Sequence, residues 1–198
     1  MIDMGRPALM REREIDDQTI EACKRGDRVA FQHLFEAYKD KVYSVAFHFC
    51  GDEAMASDAA QQVFLKLFSA ITQYRRDAEF TTWLYRIVVN TCVDEQRKRR
   101  RFVPFSPEVE VKNMVTRSTQ EESYSRKQVA DSVRTAIAGL SPKLRLPILL
   151  KYVEGLSYEE IAETLGLSKG TVASRLNRGH KTLARKLAFL RDEVIAGK

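Results

Sequence analysis

The sequence is poor in the residues that build metal centres and disulfide frameworks. It holds three cysteines and three histidines in 198 residues. Cys23, Cys50 and Cys92 are far apart in the chain, odd in number, and outside any C-x-x-C pair. A disulfide framework or a zinc site is not expected, and a reducing cytoplasm fits this usage. His48 and Cys50 lie two positions apart on a helical pattern, so they point to different faces and cannot easily share a metal. Catalytic groupings are missing as well. His33, His48 and His180 are scattered. No Ser/His/Asp, Cys/His or metal-spaced carboxylate set goes with them, and no G-x-x-x-x-G-K phosphate loop occurs. The expectation is a protein that is not an enzyme and takes no metal and no cofactor.

Long apolar runs are absent too. The longest stretch without a formally charged residue is Val42 to Gly51, 10 residues. A membrane span needs roughly 20 apolar residues, so no membrane insertion is expected. The opening MIDMGRPALMRERE has no apolar h-region, so a secretory signal is not expected and the location is expected to be cytoplasmic. Charge is what the chain has in plenty. Lys and Arg total 33 against 27 Asp and Glu, a net charge of +6. That balance suits a polyanionic partner. Apolar residues make up 44% of the chain, which is enough for a packed core. The length suits one large domain or two small ones.

Apolar spacing is helical nearly everywhere, and no credible strand is seen. Gly26-Asp27 reads as a helix stop followed by an N-cap. Phe31, Leu34, Phe35, Tyr38, Val42, Val45 and Phe49 then recur at steps of three and four, which predicts one long amphipathic helix. Gly51-Asp52 repeats the stop and cap. The next helix buries Ala56, Ala59, Ala60, Val63, Phe64, Leu67, Phe68 and Ile71. A polar loop, Gln73 to Glu79, leads to a fourth helix from about Thr81 to about Arg101. Residues 102–126, with Pro104, Pro107 and no apolar period, read as a linker that lets two domains move. Helical spacing resumes at Val129. Ser141-Pro142 is an N-cap followed by Pro at N1. Pro147 falls inside an apolar run, so that helix is expected to be kinked or to start late.

The last 40 or so residues are the most patterned. Ser157-Tyr158-Glu159-Glu160 is a capping box. Ile161, Ala162 and Leu165 form the inner face of a short helix, which Gly166 ends. Ser168 caps a second helix, with Val172, Leu176, Gly179, Leu183 and Leu187 inward. Gly179 would let another helix approach closely. This is helix-turn-helix spacing. Lys169, Arg175, Arg178, Lys181, Arg185 and Lys186 fall in the second helix, with no acid between Ser168 and Leu187. Ser174, Arg178, Lys181 and Arg185 share one outward stripe suited to phosphates and base edges. The preceding helix carries Glu159, Glu160 and Glu163, so the pair has opposite sign.

The fourth helix is two-faced. Leu84, Val88, Thr91 and Cys92 fall on a core side, while Trp83, Arg86, Asn90, Asp94, Arg97 and Arg101 form the opposite stripe. Five basic residues run from Arg97 to Arg101. Aromatic groups beside cations suit unstacked single-stranded bases, although core packing is the commoner fate of Trp83 and Tyr85. Duplex-reading and strand-reading surfaces on two helical domains point to recognition of two separated DNA elements.

These residues resemble a bacterial sigma factor of the extracytoplasmic-function, sigma-E-like type. The motifs are Gly26-Asp27 with Ala30-Phe31, Asp58 to Phe64 (DAAQQVF), Phe80 to Ile87 (FTTWLYRI), and Gly155 to Ala162 (GLSYEEIA) with Gly170-Thr171-Val172. The likeness covers about 18–101 and about 127–190. It implies an all-α chain of two small helical domains: a flexible N-terminus, 1–17; a region 2-like domain, 18–101; a linker, 102–126; and a region 4-like helix-turn-helix domain, 127–198. It implies an alternative sigma factor that binds core RNA polymerase at the clamp of the largest subunit and the flap of the second largest. Region 2 would read and melt the −10 element and region 4 would read the −35 element of promoter DNA. By position, Asp58, Gln61, Gln62 and Phe64 correspond to the polymerase-docking surface. Tyr85, Asn90, Asp94, Arg97 and Arg101, with the loop near Tyr74 to Glu79, correspond to −10 contacts. Lys151, Gly170, Thr171, Ser174, Arg175, Arg178 and Lys181 correspond to −35 contacts. Gln62 stands where the family usually has an acid. Asp94 could accept from a cytosine amino group or serve as a local partner of Arg97 or Lys98. The family also suggests an anti-sigma factor as partner. An autonomous helix-turn-helix regulator is the competing reading, but no dimerisation helix or ligand domain is evident for it.

Overall fold

The structure, a computed structural model, describes residues 15–102 and 121–190, without the side chains of 100–102 and 121–127. Residues 1–14 of the expected flexible N-terminus and 103–120 of the expected linker lie outside the described residues, as does the side chain of Arg101; against the expected boundaries, Asp16 already caps α1 and residues 121–126 already belong to α5. Eight α-helices and one 3-10 turn make up the described chain, with no strand. They are α1 (Asp17–Lys24), α2 (Arg28–Cys50), α3 (Glu53–Ala70), the turn Ile71–Gln73, α4 (Phe80–Phe102), α5 (Glu121–Ala138), α6 (Pro142–Tyr152), α7 (Tyr158–Leu165) and α8 (Lys169–Lys186).

Local chemistry sets these boundaries. Asp27 caps α2 by accepting from the Val29 and Ala30 N–H groups at 2.8 and 3.1 Å. Gly51 ends α2 with φ of 72°, a left-handed backbone that glycine adopts at no steric cost. Asp52 then caps α3 through the Met55 N–H at 2.8 Å. α6 runs through Pro147 from Pro142 rather than starting late.

α2 is the central strut. It packs against α1, α3 and α4, with Leu34, Val42, Val45 and Phe49 fully buried. On α3 the buried residues are Ala56, Ala59, Val63, Phe64 and Leu67. The predicted core side of α4 is also buried, with Leu84, Val88, Thr91 and Cys92 at 0% exposure. Each large apolar side chain so buried contributes about 1.5–3 kcal/mol. In the second half, α6 packs on α8, with Ile148, Leu149, Leu150, Ile161, Val172 and Leu176 inside. Gly179 is where α8 meets α6. A Cβ there would lie 3.0 Å from Ile148 Cγ1, so the glycine sets the approach.

The two halves touch. α5 and α6 pack against α2, and α7 packs against α4. The buried apolar cluster runs unbroken from α1–α4 into α6–α8. Composition and periodicity predict mobile domains and carry no sign of this packing.

Candidate nucleic-acid and polymerase interfaces

The helix-turn-helix is assembled as its capping residues dictate. The Ser157 N–H donates to the Glu160 carboxylate at 2.7 Å, and the Glu160 N–H donates to Ser157 Oγ at 3.2 Å. Gly166 ends α7 at φ of 63°. Ser168 Oγ accepts from the Thr171 N–H at 3.2 Å and opens α8. Across the turn, Lys169 Nζ sits 2.6 Å from Glu159 Oε1. That hydrogen bond holds the Glu159 carboxyl below its usual range.

α8 shows its cations to the outside. Ser174, Arg178 and Lys181 are exposed, as is Arg185 further along the stripe, while Arg175 is half-buried. Arg178 Nη2 donates to Ser174 Oγ at 3.1 Å, which pre-orders the guanidinium along the helix. Gly170 is exposed, with nothing within 4 Å of a would-be Cβ, so backbone can be approached closely there. Thr171 is half-buried at the cap, its hydroxyl 2.9 Å from Ser168 Oγ. Lys151 is occupied otherwise. It donates to the Leu156 carbonyl at 3.2 Å and lies 5.5 Å over the Tyr158 ring, fastening the α6–α7 connection.

On α4 the candidate residues divide. Asn90 and Arg97 are exposed. Asp94 is half-exposed, 3.9 Å from Arg97 and 3.8 Å from Lys66 of α3. The Arg97 pairing is the anticipated local one; Lys98 pairs instead with Glu95 at 2.7 Å. Trp83 is half-buried in an aromatic cluster, 5.3 Å from Tyr74 and 5.8 Å from Phe80 between ring centroids. Tyr85 is 4% exposed. Its hydroxyl donates to the carboxylate of Glu154, which lies between α6 and α7. In this arrangement its ring cannot reach a base. Burial, then the neighbouring carboxylate, pushes the Tyr85 phenol above its usual range. Burial also pushes Glu154 up, against the opposing Tyr85 hydrogen bond and the charges of Lys41 and His48.

The remaining candidates flank an apolar groove between α2 and α3 of about 620 Å³. Phe31, Phe35, Tyr43, Phe64, Leu65 and Phe68 line it, with Lys39 and Asp40 also along it. Gln61 lines the groove too, and Asp58 and Gln62 are exposed on the same helix. Phe64 is 9% exposed, with its ring 4.6 Å from that of Phe35. Phe35, Tyr43, Leu65 and Phe68 are among the chain's exposed large apolar residues. A cluster of that kind marks an interaction surface.

Two features escaped sequence reasoning. Arg145, 5% exposed, donates to the carbonyls of Phe49, Ala138 and Leu140. Its guanidinium also lies 5.2 Å over the Phe49 ring. A lone cation inside the apolar run Leu144 to Leu150 was the available signal. Cys50 and Cys92 also meet, with a thiol hydrogen bond that holds Cys50 below its usual range and pushes Cys92 above it. Both are free thiols. Among the described residues, no group of three or more His, Cys, Asp or Glu could hold a metal, and no helix is long and apolar enough to cross a membrane.

Comparison with known proteins gives two family matches in chain order. Sigma-70 region 2 matches residues 34–102 and sigma-70 region 4 matches residues 130–183. The chain is 32% identical to the ECF RNA polymerase sigma factor SigW of Bacillus subtilis, over 86% of this chain and 96% of that one. It is 32% identical to the ECF RNA polymerase sigma-E factor of Escherichia coli strain K12, over 90% and 97%. Among solved structures, CnrH in complex with the cytosolic domain of CnrY has the same fold, with a TM-score of 0.66 at 24% identity, covering 86% of this chain and 96% of that one. The sigma factor RpoE of Bartonella quintana, in complex with the anti-sigma factor NepR, gives a TM-score of 0.62 at 23% identity, covering 80% and 96%. Two sigma-70 regions in the family's order, and relatives of this identity spanning most of the chain, place this protein in the extracytoplasmic-function (ECF) family of RNA polymerase sigma factors.

Proposed function

We propose that this chain binds core RNA polymerase and directs it to promoters, reading the −35 element with α8 and reading and melting the −10 element with α4. The carrying observation is the acid-free stripe of Ser174, Arg178, Lys181 and Arg185, exposed on the second helix of a capped helix-turn-helix in the domain that matches region 4. Cations on that face meet phosphates flanking the major groove, and Ser174 and Arg178 lie where base edges come within reach. Asn90, Asp94 and Arg97 on α4 supply amide, carboxylate and guanidinium groups for an opened strand, with Tyr85 as an aromatic platform once it is uncovered. The α2–α3 groove, with Asp58, Gln61, Gln62 and Phe64 on α3, is the docking surface for the polymerase clamp in this reading; region 4 meets the flap. An anti-sigma factor as second partner, a role with no enzymatic step, and a cytoplasmic location belong to the same proposal.

Run-off transcription with purified core polymerase tests it. Templates are fragments of the source genome, including the promoter of this gene. Transcripts that require both proteins are the expected result. A chain that fails to bind core yet binds duplex tightly by itself would instead be an autonomous helix-turn-helix regulator.

A further inference from the structure

We propose that Arg76 is the positioning residue of the loop before α4: Asp17 and Glu21 of α1 grip its guanidinium, and that grip sets which bases the loop accepts at the −10 element. The inference rests on the sigma reading for the role of the loop and on the structure for the grip. Arg76 has φ of 62°, the one positive φ at a non-glycine position among the described residues. That region is sterically unfavourable for a residue with a Cβ. The surrounding structure must therefore hold it there. α1 supplies the hold. Arg76 Nη1 lies 3.1 Å from Asp17 Oδ2, and Arg76 Nη2 donates to Glu21 Oε1 at 3.1 Å. Asp17 and Glu21 stand four positions apart on one face of α1. Two acids at that spacing receive the two arms of one planar fork.

The stem of the loop is fixed separately. Tyr74 is 6% exposed, and its hydroxyl donates to the Ala78 carbonyl at 2.8 Å, closing the loop across its base. Its ring lies 5.4 Å from that of Phe80 and 5.3 Å from that of Trp83 on α4. Lys24 of α1, bonded to Glu21 at 2.9 Å, lies 5.5 Å over the same ring. What is left exposed is the tip, Arg75 to Asp77, and the tip turns at Arg76. With its guanidinium spent on α1, Arg76 aims its neighbours rather than neutralising a phosphate itself. Arg75 brings a donor fork to the tip and Asp77 an acceptor. Both stand beside Trp83, at the head of the strand-reading stripe of α4. Each ion pair is exposed and weak by itself. Together they choose between tip conformations, which takes little energy.

The test uses the full chain with Arg76→Ala, Arg76→Lys, and Asp17→Asn combined with Glu21→Gln. The double change removes the acids and leaves the arginine. These side chains are 44%, 72% and 42% exposed at Arg76, Asp17 and Glu21, so no change empties the core; circular dichroism checks helicity. Nitrogen-15 relaxation reads backbone order parameters at residues 75–77 without DNA or polymerase. Wild-type values of about 0.85 should fall below about 0.6 in Arg76→Ala and in the double variant, with Arg76→Lys between. Transcription with core polymerase from a barcoded promoter pool, randomised over the −10 element, then reads base preference. The ratio of best to worst base at one position or more should fall at least about threefold in the same two variants. Ratios within one pool cancel any general effect of charge. Unchanged order parameters in both variants overturn the grip. A mobile tip with unchanged base ratios overturns the role in specificity and leaves Arg76 a structural residue. A wild-type chain that yields no transcripts overturns the sigma reading and the −10 role with it, while the order parameters decide the grip on their own.

Discussion

Replacing Arg145 by Met should uncouple the two halves of the molecule as well as destabilise them. The guanidinium serves three carbonyls, Phe49 at the end of α2 and Ala138 and Leu140 at the end of α5. These carbonyls belong to helix C-termini, where a cation also complements the dipole. A hydrogen bond to a charged group contributes about 1.5–3 kcal/mol, and the three share one donor group, so they do not simply add. Met keeps the apolar stem and loses the fork. The expected cost is about 2–4 kcal/mol, from neutral carbonyls left without a donor at about 1–3 kcal/mol for each that stays dry, out of a total stability on the order of 5–15 kcal/mol. Urea unfolding can be followed by two signals at once. The chain has one tryptophan, Trp83 on α4, so fluorescence reports the first half. Circular dichroism reports both halves. In the wild type the two curves should coincide as one transition. In Arg145→Met the dichroism curve should begin at lower urea than the fluorescence curve, because only one of the three carbonyls lies in the first half. Arg145→Lys should fall between, since an ammonium cannot serve the three carbonyls as a planar fork does. A variant within 1 kcal/mol of wild type, with coincident curves, would refute the reasoning.

Three further outcomes are expected. Gly179→Ala gains about 1 kcal/mol of helix propensity but puts a methyl 3.0 Å from buried Ile148, an overpacking cost of about 1–3 kcal/mol; thermal unfolding should show a net loss of about 1 kcal/mol, and Gly179→Val a larger one. Arg178→Ala combined with Lys181→Ala should lower duplex affinity and flatten its dependence on log salt by about 0.9 for each phosphate the helix no longer neutralises, whereas a slope equal to wild type would remove these residues from the interface. Glu154, facing Tyr85 on α4 and Lys41 and His48 on α2, has a carboxyl raised above its usual range by burial, so the closed form binds its proton more tightly than the open form. Closure should thus be strongest below the ordinary carboxyl range and weaken as pH rises through the raised value; scattering should show this between about pH 4 and pH 7, and Glu154→Ala should abolish the dependence.

Most of the helical framework was legible because each boundary is local. Gly51-Asp52, the Ser157–Glu160 capping box and Ser168 each satisfy orphan helix-end groups within four residues of themselves. Gly179 was legible as a close approach because a single missing side chain in an apolar stripe opens a notch that a second helix can fill. Two things were not legible. Tyr85 and Glu154 are 69 positions apart, and periodicity assigns faces without naming the partner that covers them. The meeting of Cys50 with Cys92 depends on the register of α2 against α4, which no short motif encodes. Lys151 shows a third kind of limit. Its position matches a −35 contact by resemblance, but its ammonium is committed to the Leu156 carbonyl and the Tyr158 ring.

The opposite signs of α7 and α8 now have a structural consequence. α7 turns Glu163 to α4, and α8 turns its acid-free stripe away from the contact. On the proposed reading of α8 as the duplex-contacting helix, acids there would repel the phosphates. If the cations were on α7, Glu163 would be replaced by a charge like that of Arg86, and closure would lose its polar cap. The charge segregation therefore serves two surfaces at once. In this arrangement the cationic stripe of α8 stays exposed while Tyr85 is buried and Arg86 is engaged by α7.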